Sequence, residues 1–441
     1  MHSEFMNKIK NNTIKIGVIG LGYVGLPLCR EFVRGGANVI GFDIDENKIQ
    51  SLASKKTYIE HIPDSTIAEM VNSGIFSATS DFNQLSQPDA LLLAVPTPLD
   101  EYRQPDLEYV IKSTEAVAKH LRKGQLVVLE STTYPGTTKE VMLPILEKHS
   151  GLKVGQDFFL AYSPEREDPG RKDFTTRTIP KVVGGIDENS TSAACALYSI
   201  AIDQPVSVTS CEAAEASKIL ENTYRCVNIA LVNELKMLFD KMGIDVWEVI
   251  KAAKTKPFGF TAFYPGPGLG GHCIPIDPFY LSWKAKEYEC PTRFIELAGE
   301  INVGMPEWVV TKTMEALNLR KKPMNGSKIL LIGIAYKPNV DDDRESPSYK
   351  LWKLLEAHGA IVEYHDPHCP VIRPSREYSC YAGIESQPIT ADTLKKYDAV
   401  LISTDHEKVN YQLIVDESDL VIDTRNATVK CSNTENTVIK A

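Results

Sequence analysis

The stretch that most constrains this chain runs from Ile14 to Asp43. Ile14 to Ile19 (IKIGVI) is a short apolar strand, and Gly20-Leu21-Gly22-Tyr23-Val24-Gly25 follows at once. A helical pattern covers Val24 to Arg34, Gly35-Gly36 stops it, and Asn38 to Phe42 makes a second strand ending in Asp43. Strand, GxGxxG, helix, strand and acid, in that order, form the dinucleotide fingerprint in its full setting. Gly20 allows the tight turn, Gly22 lets a pyrophosphate approach the backbone, and Gly25 lets helix pack on strand. The helix N-terminus turns its spare N–H groups towards phosphate. Asp43 lies 18 residues after Gly25, where it suits a ribose 2′-hydroxyl and would repel a 2′-phosphate. The reading is therefore NAD rather than NADP, with Gly20, Gly22, Tyr23, Val24, Gly25 and Asp43 as cofactor contacts. A glycine turn in an ordinary βαβ unit is the plainer alternative.

Strand and helix go on alternating. Ala90 to Val95 is a buried-type strand that breaks at Pro96-Thr97-Pro98, and Leu126 to Leu129 ends in Glu130-Ser131-Thr132-Thr133. Ligands of a doubly wound sheet sit at the carboxyl ends of its strands. Thr97 and Thr132 are thus placed to touch cofactor or substrate, or else to satisfy local backbone. Phe158 to Ala161 leads into the polar loop Tyr162 to Gly170, where Glu165, Arg166 and Glu167 are candidate substrate contacts. Glu165 is a candidate general base, and a solvated charge run is the bland reading. Lys181 to Val183 and Pro205 to Val208 are the last strands of a first domain covering residues 1–208.

Cys211 to Met242 contains no Pro or Gly and is rich in Ala, Leu, Glu and Lys, so it predicts one helix about 48 Å long. Such a length bridges domains or builds a dimer interface. Lys218 and Asn222, four apart, share a face. Asp245 is the expected cap of a helix to Ala253. Tyr264 to Tyr280 (YPGPGLGGHCIPIDPFY) then carries too much Pro and Gly for helix or strand. It is a loop with a specified path. Cys273 follows Gly270, Gly271 and His272, with Asp277 four residues on. From the residues alone, a nucleophile and a structural thiol are equally good readings of Cys273. Helical patterns over Phe279 to Tyr288 and Thr292 to Leu317 complete a central domain, residues 209–318.

A third domain, residues 319–441, opens with a linker and the strand Lys328 to Ile332. It is a second Rossmann-like start without the full glycine set. Strands follow at Ile361 to Tyr364, Ala399 to Ile402 and Leu420 to Asp423. Lys337, Arg344 and Arg425 fall at strand ends or just beyond, as a diphosphate or nucleotide requires. His365, Asp366, His368 and Cys369 are too cramped on one turn to face a single ion, so no metal is expected. The fold class is α/β: two Rossmann-like doubly wound domains joined by a long central helix and a helical dimerisation domain.

Taken in order, GLGYVGLP, the VPTP strand end, EST, SPE, the Lys218–Asn222 helix, GGHCIPIDP and AYKPNVDDDRESP resemble the UDP-glucose/GDP-mannose dehydrogenase family over nearly the whole chain. GHCIPIDP, the early YIEHIP and KPFGFTAFYPGPGLGG resemble its UDP-N-acetylhexosamine branch, most of all the UDP-N-acetylglucosamine members. The resemblance implies a four-electron, NAD-dependent oxidation of the sugar C6 alcohol to a carboxylate through a thiohemiacetal and thioester on Cys273. It implies that Lys218 and Asn222 stabilise the oxyanion and that Asp277 assists proton transfer. By the same resemblance Glu165 and Thr132 handle the hydrolytic water, Lys337 and Arg425 hold the UDP end, and Arg344 lies on the cofactor side. The loop from Tyr264 through Gly266 and Gly270 would carry uridine and sugar on its backbone groups. Where UDP-glucose enzymes bring an arginine from a neighbouring subunit, this chain has Lys254, Lys256 and Phe258. The UDP-N-acetylmannosamine and UDP-N-acetylgalactosamine epimers remain alternative substrates. A two-electron hydroxyacid-type dehydrogenase would need neither Cys273 nor the third domain. A non-catalytic nucleotide-sugar-binding protein would have no need to keep Cys273, Lys218 and Glu165.

Composition sets the remaining bounds. A net charge of −10 argues against nucleic-acid partners. Nine cysteines without CxxC pairs suit a reducing cytoplasm. No run of 18 apolar residues is present, so no membrane span is expected. A homodimer is the expected assembly.

Overall fold

Eight short strands, β1 (Lys15–Ile19), β2 (Asn38–Phe42), β3 (Phe76–Thr79), β4 (Ala90–Leu93), β5 (Leu126–Leu129), β6 (Phe159–Tyr162), β7 (Lys181–Gly185) and β8 (Pro205–Val208), make the first sheet. The computed structural model describes residues 1–59, 62–100, 104–166, 175–271, 274, 276–375 and 378–441. The strand order is β3-β2-β1-β4-β5-β6-β7-β8. The pairing is parallel throughout except between β6 and β7, which run antiparallel. β4, β5 and β6 are buried along their whole length, as strands covered on both faces must be. One cluster, including Val18, Leu28, Phe32 and Leu92, fills one side of this sheet, and another, including Leu91, Leu93, Leu129 and Tyr162, fills the other. Alternate residues of one strand thus serve opposite layers. Order reverses between β1 and β4, which sets a ligand crevice beyond their carboxyl ends.

The second sheet is β9 (Lys328–Ile332), β10 (Ile361–His365), β11 (Ala399–Ile402), β12 (Val421–Asp423) and β13 (Val438–Lys440), all parallel, in the order β10-β9-β11-β12-β13. Its order reverses between β9 and β11. β3, β13 and the N-terminal helix His2–Lys10 have no counterpart in the sequence reading.

The helix Cys211–Met242 is continuous over 32 residues. Val246–Ala253 follows, and the Asp245 side chain caps it by accepting from the Trp247 N–H. Asp277–Ala285 and Arg293–Leu319 are the next long helices. Contacts divide the chain into two units, Met1–Glu221 with Phe279–Pro291, and Asn222–Pro278 with Thr292–Ala441. The chain therefore changes unit within two of its helices, between Glu221 and Asn222 and again between Pro278 and Phe279. Among the described residues no helix is long and apolar enough to cross a membrane.

Candidate active site

The first unit carries the dinucleotide cradle. Gly20 has φ +92°, and a Cβ there would collide with the Ala94 carbonyl; one on Gly25 would overlap the Gly20 carbonyl. Neither position tolerates a side chain. A Cβ on Gly22 would meet nothing within 4 Å, so a ligand has room to lie on that backbone. The helix Gly25–Arg34 starts without a side-chain cap, so the positive end of its dipole is open to an anion. Asp43 accepts from the Leu21 N–H and Lys48 Nζ, each at 2.9 Å, and from the Asp45 N–H at 2.9 Å. A carboxylate offers roughly four acceptor sites, so capacity is left for a ribose hydroxyl. These residues fit NAD.

The neighbouring strand ends are tied together. Thr97 Oγ1 donates to the Thr132 carbonyl at 2.8 Å, and Ser131 Oγ donates to the Val95 carbonyl at 2.7 Å. The buried Tyr280 donates its hydroxyl to the Thr97 carbonyl at 2.5 Å. Glu165 Oε1 accepts from the Arg166 N–H at 2.7 Å, and Lys218 Nζ donates to the Glu165 carbonyl at 2.5 Å. Lys218 is buried, not the solvated helix lysine its sequence alone would suggest. The Arg166 guanidinium pairs with Glu221 and donates to the Pro180 carbonyl.

Asn222 begins the second unit one helical turn after Lys218. Its Nδ2 donates to Asp277 Oδ2 at 2.5 Å, and both residues are buried. Asn233, three further turns along, donates to Asn302 at 2.9 Å and accepts from the Gly266 N–H at 3.0 Å. A Cβ on Gly266 would strike the Arg425 guanidinium, and Gly270 lies against Tyr336, next to Lys337. Arg425 Nε donates to the Ser403 carbonyl at 2.9 Å, just beyond β11 and so at the switch point of the second sheet. Burial lowers the Arg425 pKa against the attraction of Asp405 and Asp423, and burial raises Asp405. Tyr264 is about half exposed and stacks on Trp247, with ring centroids 5.8 Å apart. Arg344 grips Asp342 with Nε and Nη2 at 2.8 and 2.7 Å.

Asp366 is engaged by groups of the chain itself. It accepts from the N–H groups of Ile334, Ala335, His368 and Cys369 and pairs with the buried His406 at 3.0 Å. Among the described residues no three His, Cys, Asp or Glu side chains gather as metal ligands. Glu167, His272 and Cys273 lie outside the described residues.

Sequence reasoning missed four buried residues that bond to candidate segments within their own unit: Lys181, Glu130 and Tyr280 in the first, Asn233 in the second. Lys181 stood out as a cation opening a strand otherwise apolar (KVV), and Glu130 as the first residue of the EST motif, without a sign of what either bonds. The others act on main-chain groups or on partners far along the chain.

A dinucleotide cradle on one sheet and an arginine at the switch point of another define a dehydrogenase whose substrate itself carries a nucleotide. The family profiles agree. Residues 14–202 match the NAD binding domain of the UDP-glucose/GDP-mannose dehydrogenase family, residues 212–303 its central domain and residues 330–430 its UDP binding domain. The chain belongs to that family and is an NAD-dependent oxidoreductase. It is 37% identical over 396 residues to a UDP-N-acetyl-D-glucosamine 6-dehydrogenase of Pseudomonas aeruginosa, covering 90% of this chain and 91% of the relative. The structure of a UDP-D-ManNAc dehydrogenase from Pyrococcus horikoshii superposes with TM-score 0.86 at 31% identity, over 97% of this chain and 99% of that one. An NDP-N-acetyl-D-galactosaminuronic acid dehydrogenase from Methanosarcina mazei gives TM-score 0.81 at 32% identity, over 100% and 97%.

Proposed function

We propose that the chain oxidises C6 of UDP-N-acetylglucosamine from alcohol to carboxylate, in four electrons. NAD+ held by Gly20, Gly22, Gly25 and Asp43 would supply the hydride acceptor, and two such acceptors in succession would account for the four electrons. The chain's own groups do the rest. Lys218 and Asn222 donate to the C6 oxygen as negative charge grows on it, a role worth about 10²–10³ in rate per donor in comparable sites. Asp277, already bonded to Asn222, accepts the hydroxyl proton. Cys273 adds to the aldehyde carbon, and loss of the second hydride leaves a thioester. Water then forms the new C–O bond as the C–S bond breaks, its proton passing to Glu165 with Thr132 beside the attacking oxygen. Lys337, Arg425 and the backbone of the loop from Tyr264 through Gly266 and Gly270 hold the UDP-sugar. Arg166 and Glu167 border it, and Arg344 lies towards the cofactor.

The observation that carries this reading is the buried Asn222–Asp277 pair, one partner on the long helix and the other closing the loop that bears Cys273. Polar groups are kept out of water only where they satisfy one another, as these two do. Similarity to the Pseudomonas aeruginosa relative supports the glucosamine substrate. The mannosamine and galactosamine epimers stand as a second reading, favoured by the two solved relatives. Residues 1–208, 209–318 and 319–441 are the proposed working division, and the enzyme is assigned to the cytoplasm as a homodimer. Cys273→Ser should bind NAD+ with unchanged affinity in calorimetry yet form no uronic acid; normal acid production by that variant would sink the thioester route.

A further inference from the structure

Glu165 is held from several sides, and one of the groups holding it has no part in the chemistry above. The segment Ser163 to Arg166 lies beside the start of β7 and touches it at three successive points. Ser163 Oγ donates to the Val182 carbonyl at 2.8 Å, Lys181 Nζ donates to the Pro164 carbonyl at 3.1 Å, and Arg166 Nη1 donates to the Pro180 carbonyl at 2.7 Å. The long helix grips the next carbonyl through Lys218 and the next side chain through Glu221. Of these contacts the Lys181 bond is the most deliberately built. Its ammonium is buried and pairs at 2.7 Å with Glu130, which is wholly buried and also accepts from the Tyr198 hydroxyl. Glu130 is the first residue of the segment that continues through Ser131 to Thr132. Burial pushes the Glu130 carboxyl up and the Lys181 charge pulls it back. A buried ion pair seldom adds net stability over apolar packing, so its presence calls for a use.

We propose that Lys181, anchored by Glu130, is a positioning residue for hydrolysis of the acyl-enzyme. It joins the Thr132 strand end to the Pro164–Glu165 main chain, so that both groups that handle the water keep one mutual geometry. Lys181 fixes the carbonyl of the Pro164–Glu165 peptide and Lys218 that of the Glu165–Arg166 peptide. The Glu165 carboxylate therefore has little backbone freedom left to average away from the attacking water, and misplacement by about 1 Å can cost on the order of 10²-fold. The step it serves is the addition of water to the thioester carbon with departure of the thiolate and proton transfer to Glu165. Lys181 takes no part in bond making. The inference rests on the proposed roles of Glu165 and the thioester.

The test compares four variants with the parent: Lys181→Met, Glu130→Gln with Lys181→Met, Glu165→Gln, and Tyr198→Phe. Lys181→Met leaves Glu130 buried without its cation and is the variant at risk of misfolding. The double variant removes both charges and leaves an amide oxygen for Tyr198, so it keeps the question open to test. Each variant is mixed rapidly with NAD+ and UDP-N-acetylglucosamine, NADH is followed by absorbance, and the quenched chain is weighed by intact mass spectrometry. The expected result for the double variant is a burst of two NADH per site, then turnover at least tenfold below the parent. An acyl adduct should accumulate on the chain, with NAD+ affinity within twofold of the parent. Tyr198→Phe keeps the Lys181–Glu130–Pro164 contacts and should turn over within threefold of the parent without an adduct. An adduct in Glu165→Gln but none in the double variant overturns the positioning role alone. An adduct in neither overturns the reading of Glu165, and the positioning role falls with it. An equal adduct in Tyr198→Phe shows general loosening of the core and also overturns it.

Discussion

Single residues here carry more than their sequence positions disclose. Lys218 reads in sequence as one lysine among many on a charged helix. In the structure it is buried with its ammonium on a carbonyl 53 residues away. No sequence pattern records a bond to a main-chain oxygen, so only the (i, i+4) spacing to Asn222 and the family resemblance pointed to it. The pairing of Lys181 with Glu130 was not legible either, because the two side chains meet from 51 residues apart. Glu215 is a further case. It lies one turn before Lys218, is fully buried, and accepts from the Gly136 N–H at 2.5 Å and from the Thr138 N–H and hydroxyl at 2.9 and 2.7 Å. Burial is the largest influence and pushes its carboxyl up to about 7 from an ordinary 4.5. Between those values the folded chain keeps a proton that the unfolded chain has released. The Glu215 contribution to stability is therefore full below about 4.5, falls as pH rises to about 7, and is flat above that. Melting temperatures of Glu215→Gln and the parent, taken from pH 4.5 to 8, should show the smaller fall in the variant; equal slopes would remove Glu215 from the account.

Elements show what patterning can and cannot disclose. The apolar runs at β4, β5 and β11 are legible because a strand buried on both faces has no polar side to alternate with. β3 is FSAT, with one fully buried residue in four, and leaves no such signal. The two sheets also open alike, which their sequences conceal. Gly20 N donates to the Phe42 carbonyl and Gly333 N to the His365 carbonyl, both at 2.8 Å, and both glycines have positive φ. Asp43 then takes the Leu21 N–H, and Asp366 takes those of Ile334 and Ala335. The difference lies in what else the acid meets: Lys48 for Asp43, and the wholly buried His406 for Asp366. His406 also accepts from the Asn339 N–H at 3.0 Å, binding the second acid to the loop that carries Lys337. The first acid faces a lysine, whereas the second is taken up by its own loops. The loop between the long helix and Asp277 can be tested as an element. Gly266→Ala puts a methyl into the space of the Arg425 guanidinium. It should raise KM for the UDP-sugar at least tenfold, about 1.4 kcal/mol, and leave NAD+ affinity within twofold. An unchanged KM would separate that loop from the UDP site.

At the scale of the molecule, the long helix was legible as one element because nothing in Cys211 to Met242 breaks it. The point between Glu221 and Asn222 where it changes unit was not, because the helix runs through it unbroken and a change of packing partner leaves no mark in the sequence. The same helix carries Leu220, Tyr224, Leu231 and Leu238 at 68%, 50%, 51% and 49% exposure, spaced four, seven and seven residues apart. A stripe with that spacing suits a second copy of the helix. Leu231→Glu combined with Leu238→Glu should halve the mass seen in sedimentation velocity, and an unchanged mass would take the stripe out of the assembly. The central claim, four-electron oxidation through a covalent intermediate, is tested most directly by counting NADH released per molecule of limiting UDP-N-acetylglucosamine. Two NADH per sugar is the predicted result. One NADH per sugar would mean that oxidation stops at the aldehyde, and the acyl-enzyme and its water-handling residues would have no step to serve.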